Sequence, residues 1–117
     1  MEKEETTKLL KEAVSMWGTD AQLWMLVEEA GELIKAVAKM HRASMDRRDA
    51  ILGFIDELVD VQVMIDQWRL EVGEERFNRA YDLKMKRLAA KLDVYREAHR
   101  TNPHLEKAAH IDLSDFM

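Results

Sequence analysis

Glu57 and Asp60 stand one helical turn apart in Phe54-Ile55-Asp56-Glu57-Leu58-Val59-Asp60-Val61, a stretch otherwise largely apolar. On a helix, Glu57 shares its face with Val61, Met64 and Trp68, at i+4, i+7 and i+11. A carboxylate so placed is expected to be partly buried, which is costly unless it is paired or holds a cation. Asp60 at i+3 adds repulsion, so a positive charge is expected between the two. Upstream, Glu29 and Glu32 repeat the i, i+3 spacing, with Glu28 beside them. Those three span an arc of about 100° beside an apolar stripe, and taken alone they read first as a solvated helix face.

The 24 residues from Leu33 to Asp56 separate the two acidic pairs and leave room for the chain to turn back. Two antiparallel helices would then face carboxylates across one gap. Oxygen donors without any cysteine suit a hard ion, Mg²⁺ or Mn²⁺, which keeps positions open for water and phosphate oxygens. A di-iron carboxylate bundle expects Glu-x-x-His, and no glutamate here has histidine three residues later. His41, His99, His104 and His110 are scattered near helix ends or in the tail and read as surface residues.

Four helices would carry these groups. The first is expected from Lys3 to Trp17, closed by Gly18. Thr19 with Gln22 has capping-box spacing, opening a second helix from Asp20 to His41. Its apolar stripe holds Leu23, Leu26, Val27, Ala30, Leu33, Ile34 and Val37. Arg42 to Arg48 reads as a polar, basic connection. A third helix is expected from Asp49 to Val72, capped by Gly73, and a fourth from Glu74 to Arg100, ended by Pro103. The fourth has Phe77, Tyr81, Leu88, Leu92 and Tyr95 on one stripe, interrupted by Lys84. The tail from His104 to Met117 shows no period. Gly31, in mid-helix at a cost of about 1 kcal/mol against alanine, suggests either close helix packing or the approach of a ligand. The expected fold is all-α, an antiparallel four-helix-bundle-like single domain over residues 1–117.

Composition agrees with that class. The 117 residues are 47% hydrophobic and 35% charged, with four glycines and one proline, which leaves few breaks for short strands. Lys plus Arg number 18 and Asp plus Glu 23, a net charge of −5 that argues against a nucleic-acid coat. Cysteine is absent, excluding thiolate metal sites and cysteine nucleophiles. There is no apolar stretch of signal-peptide or membrane-spanning length, so the expectation is a cytoplasmic protein without membrane partners.

The strings Glu28-Glu29-Ala30-Gly31-Glu32-Leu33 and Asp56-Glu57-Leu58-Val59-Asp60-Val61 resemble the two halves of the MazG-type signature, Glu-Glu-x-x-Glu and Glu-x-x-Asp. The resemblance covers roughly Trp17 to Leu92. It implies an α-helical oligomer, a homodimer or homotetramer, that hydrolyses a nucleoside triphosphate to the monophosphate and pyrophosphate. Glu29, Glu32, Glu57 and Asp60 would bind Mg²⁺, with Glu28 supporting the metal or orienting the attacking water. Lys84 and Arg87 match basic positions that the family carries for phosphates, and a lysine in an apolar stripe can equally snorkel. Trp17, Trp24 and Trp68 are candidates for stacking on a base, with Gln22 beside them, although large aromatics more usually serve burial or a subunit interface.

No Walker-type glycine loop is present, so phosphates would be held by metal and side chains. A biosynthetic phosphoribosyl-ATP pyrophosphohydrolase role and a non-catalytic helical interaction module are the alternatives. The base preference is not legible in the residues.

Overall fold

The computed structural model describes residues 1–42, 47–105 and 107–113. It contains four helices, α1 (Lys3–Trp17), α2 (Thr19–Arg42), α3 (Arg47–Val72) and α4 (Glu74–Thr101), and no strand among the described residues. The expected all-α class holds. The expected connection falls partly on 43–46, and the expected tail partly on 106 and 114–117, outside the described residues.

Two glycines punctuate the chain. Gly18 has φ +90° and Gly73 φ +99°, backbone conformations that side-chain-bearing residues rarely adopt. The Gly18 amide donates to the Val14 carbonyl at 2.7 Å, closing α1. The Gly18 carbonyl in turn accepts from the Gln22 amide at 3.1 Å, so α2 starts directly beyond the turn. Thr19 is therefore the first residue inside the helix, and the Thr19–Gln22 capping box expected from spacing is replaced by this backbone contact. At the start of α3, Arg47 and Arg48 belong to the helix and not to the connection. Arginine is a good helix former, and Asp49 places an acidic side chain in the first turn, where the helix dipole favours it.

The described chain divides into two compact units, Met1–Glu74 and Glu75–Met117. In the first, α1, α2 and α3 pack together, most extensively α2 on α3. The Trp68 indole N–H, near the end of α3, donates to the Gln22 carbonyl near the start of α2, at 3.4 Å. At the other end Lys39 and Arg42 of α2 share a cleft with Asp49 and Ala50 of α3. The two helices are thus antiparallel, as the spacing of the acidic pairs allows. A weaker bond, Gln67 Nε2 to the Leu10 carbonyl at 3.5 Å, ties α3 to α1.

The core is thin. Among the described residues its buried apolar members are Val14 from α1, Met40 from α2, and Ala50, Ile51 and Met64 from α3, and the buried polar ones are Gln22 and Gln67. The second unit consists of α4 and the residues after it. Helix α4 has no buried residue, and Tyr81, Leu88, Leu92 and Tyr95 of its apolar stripe are exposed. No helix among the described residues is long and apolar enough to cross a membrane.

Candidate functional site, a carboxylate cluster between two helices

Helices α2 and α3 meet along their middles, and there the acidic pairs come together. One carboxylate oxygen from each of Glu29, Glu57 and Asp60 lies within 4.8 Å of the others. Glu29 and Glu57 are half-buried and Asp60 is exposed. The cluster draws one acid from α2 and two, a helical turn apart, from α3. That arrangement needs the antiparallel pairing and cannot arise on one helix alone.

The electrostatics match the geometry. The Glu29 carboxyl is pushed above the usual carboxylate range, first by loss of water and then by the negative charges of Asp60, Glu57, Glu28 and Glu32. Glu57 is pushed the same way by loss of water, then Asp60, Glu32 and Asp56, with Lys35 acting in the opposite direction. Positive charge at the centre of the cluster would oppose both shifts. The donor set is all oxygen, as a hard divalent cation requires.

Glu32 lies at the edge of this group. It repels Glu29 and Glu57, and its Oε2 is 3.9 Å from Lys35 Nζ in a loose, exposed pair. Glu28 is exposed and faces the cluster only as a nearby charge on Glu29. Three of the five acids expected at the site are therefore mutually close, with Glu32 and Glu28 flanking them.

Beside the cluster runs an open cleft of about 480 Å³, bounded by the second half of α2 and the first half of α3. Glu32 and Glu57 line it, followed along α2 by Lys35, Lys39 and Arg42, while Asp49, Ala50 and Gly53 come from α3. Lys35 and Lys39 were not singled out by the sequence reading, and Arg42 was noticed only as part of a basic stretch. The signal was present: positions 32, 35, 39 and 42 continue one helical face. A Cβ built on Gly31 or Gly53 meets nothing within 4 Å, so close packing in this chain does not require either glycine.

The aromatic and basic residues expected around the substrate are placed differently from one another. Trp68 is half-buried and bonded to the backbone of Gln22, whose own side chain is buried. These two join α2 to α3. Trp17 and Trp24 each expose 62% of their surface. Lys84 and Arg87 are exposed on α4, in the second compact unit. Comparison of the chain with protein-family models, curated proteins and solved structures finds no match.

Proposed function

We propose that the chain is a Mg²⁺-dependent nucleotide pyrophosphohydrolase, converting a nucleoside or deoxynucleoside triphosphate to the monophosphate and pyrophosphate. The carrying observation is the convergence of Glu29, Glu57 and Asp60 within 4.8 Å from two helices, with Glu57 also lining a charged cleft. The MazG-type spacing of these residues supports the same reading.

Glu29, Glu57 and Asp60 would hold Mg²⁺ or Mn²⁺, with Glu32 completing the set from the next turn of α2. Such an ion supplies positive charge to a triphosphate and acidifies a bound water. Carboxylates raised by loss of water and by neighbouring negative charge are suited to this, since a bound cation offsets both effects. Glu28, exposed beside Glu29, would orient the attacking water or support the metal shell, as the resemblance implies. Lys84 and Arg87 are the residues the resemblance nominates for the leaving pyrophosphate, where charge develops.

Self-association belongs to the same proposal. Trp17, Trp24, Leu58, Val59 and Val63 are exposed, and a thin core leaves them for a second copy to cover in a homodimer or homotetramer. The same surface favours a second reading, a non-catalytic helical interaction module. Metal titration separates the two: an enzyme of this kind gains thermal stability with Mg²⁺ or Mn²⁺, and a module with structural acids does not. The direct test is pyrophosphate release from a panel of NTPs and dNTPs with either metal. No release from any of them overturns the enzymatic reading.

A further inference from the structure

The cleft beside the carboxylates has a charge gradient along its length. Glu32 and Glu57 stand at one end. From Glu32, α2 places Lys35, Lys39 and Arg42 at i+3, i+7 and i+10, within an arc of about 80° and over a rise of about 15 Å. All three line the cleft. The opposing charge on the α3 side is Asp49, so cations outnumber acids beyond the cluster by three to one.

These cations are available. Lys35 makes only the loose 3.9 Å contact with Glu32, with 77% of its side chain exposed. Among the described residues, Lys39 and Arg42 take part in no ion pair, and both are exposed. The floor is kept low by Ala50 and Gly53, and at Gly53 a side chain would meet only open space. Such a row, one helical turn between successive positive groups, fits a chain of linked anions better than a single carboxylate or an apolar group. Guanidinium and ammonium groups both form strong charge-assisted bonds to phosphate oxygens.

We propose that Lys35, Lys39 and Arg42 form a polyphosphate track, holding the terminal phosphates of a metal-bound substrate along the α2–α3 cleft. This rests on the reading of the carboxylates as a metal site for a polyphosphate ester. It assigns a direction to the substrate: the leaving pyrophosphate points along α2 toward Arg42 and the nucleoside lies on the other side of the cluster. It also sets substrate class, since a monophosphate ester reaches the metal but not the track. The phosphate site is then built within the α1–α3 unit, whatever Lys84 and Arg87 add.

The test uses inorganic tripolyphosphate with Mn²⁺, titrated calorimetrically into the full chain, so the readout does not depend on turnover. Lys39→Met is expected to weaken tripolyphosphate binding at least about tenfold and the Lys39→Met/Arg42→Met pair further, with Mn²⁺ binding alone unchanged. Lys39→Arg is expected to restore binding, and Lys11→Met on α1 to leave it as in wild type. Affinity in wild type should fall with ionic strength, and less steeply in the double variant. Equal tripolyphosphate affinity in wild type and Lys39→Met overturns the track, as does a wild type that binds Mn²⁺ but no tripolyphosphate. Track-dependent binding with no hydrolysis of any NTP would sink the hydrolase reading alone. Hydrolysis with binding indifferent to Lys39 and Arg42 would sink the track alone.

Discussion

Glu29 on α2 and Glu57 on α3 bring carboxylate oxygens within 4.8 Å of each other, and Asp60 lies at the same range from both. Each of the two glutamates is half-buried, and each is pushed above the usual carboxylate range, first by loss of water and then by Asp60, with Glu57 adding to the shift of Glu29. Charges of one sign held this close oppose folding unless something positive joins them. The molecule therefore carries local strain at the place where its spacing resembles a metal signature, and that strain can be measured.

Replacing Glu57 with glutamine removes one of the repelling charges and nearly preserves shape. Glu57→Gln is expected to melt at the same temperature as metal-free wild type or higher. Its stabilisation by Mn²⁺ should be lost and its pyrophosphate release abolished. Thermal melts with and without metal check the first two, and a variant that retains most wild-type activity takes Glu57 out of the site.

Loss of water, together with that repulsion, sets a pH dependence. The folded-state carboxyls of Glu29 and Glu57 lie above the ordinary value of 4.5 that the unfolded chain shows. In the window between 4.5 and the raised values the folded state binds more protons, so stability is gained as pH falls through it and lost as pH rises. Glu97, held low by its hydrogen bond to Arg100, acts with the opposite sign. The contribution of the cluster is read as the difference between wild type and Glu57→Gln, without metal. That difference should shrink as pH is lowered from 7 toward 4.5, and a difference independent of pH would contradict the coupling.

Gly31 lies in the middle of α2, between Glu29 and Glu32, where alanine is the better helix former by about 1 kcal/mol. An added Cβ meets nothing within 4 Å. Gly31→Ala is expected to stabilise the chain by up to about 1 kcal/mol, seen as a higher denaturant midpoint. A loss of metal-dependent activity in that more stable variant would show that a ligand comes close to this backbone.

Trp68 is expected to matter for stability more than for turnover. Trp68→Phe keeps an aromatic ring in the α2–α3 contact but removes the 3.4 Å bond to the Gln22 carbonyl. At that length the loss should be near the low end of hydrogen-bond contributions, about 0.5 kcal/mol. A large change in KM with little change in melting would instead mark Trp68 as a base contact.

Lys84 separates phosphate binding from packing on α4. Lys84→Met keeps the methylene stem and removes the charge. If Lys84 meets the leaving group, catalytic efficiency falls by about ten- to a thousandfold with melting temperature nearly unchanged. Arg87 should follow more mildly. Wild-type rates in Lys84→Met would leave the terminal phosphates to other cations.

Much of the fold is legible in the residues because its signals are local. Apolar periodicity, the glycines at 18 and 73, and the scarcity of proline determine four helices within a few residues of their observed bounds. The placement of carboxylates one turn apart on two successive helices is likewise written in the sequence, since helical geometry converts i, i+3 spacing into neighbours. The tertiary structure alone decided which acids meet. Glu29, Glu57 and Asp60 converge, Glu32 turns toward Lys35, and Glu28 stays outside, because those distances depend on how α2 and α3 rotate against each other. It decided too that Thr19 sits inside α2, since the Gly18 carbonyl takes the Gln22 amide. And it placed Lys35, Lys39 and Arg42 along one cleft with Glu57. A basic residue on a helix face reads as solvated until the opposite wall is known, and that wall comes from α3, which only folding brings alongside.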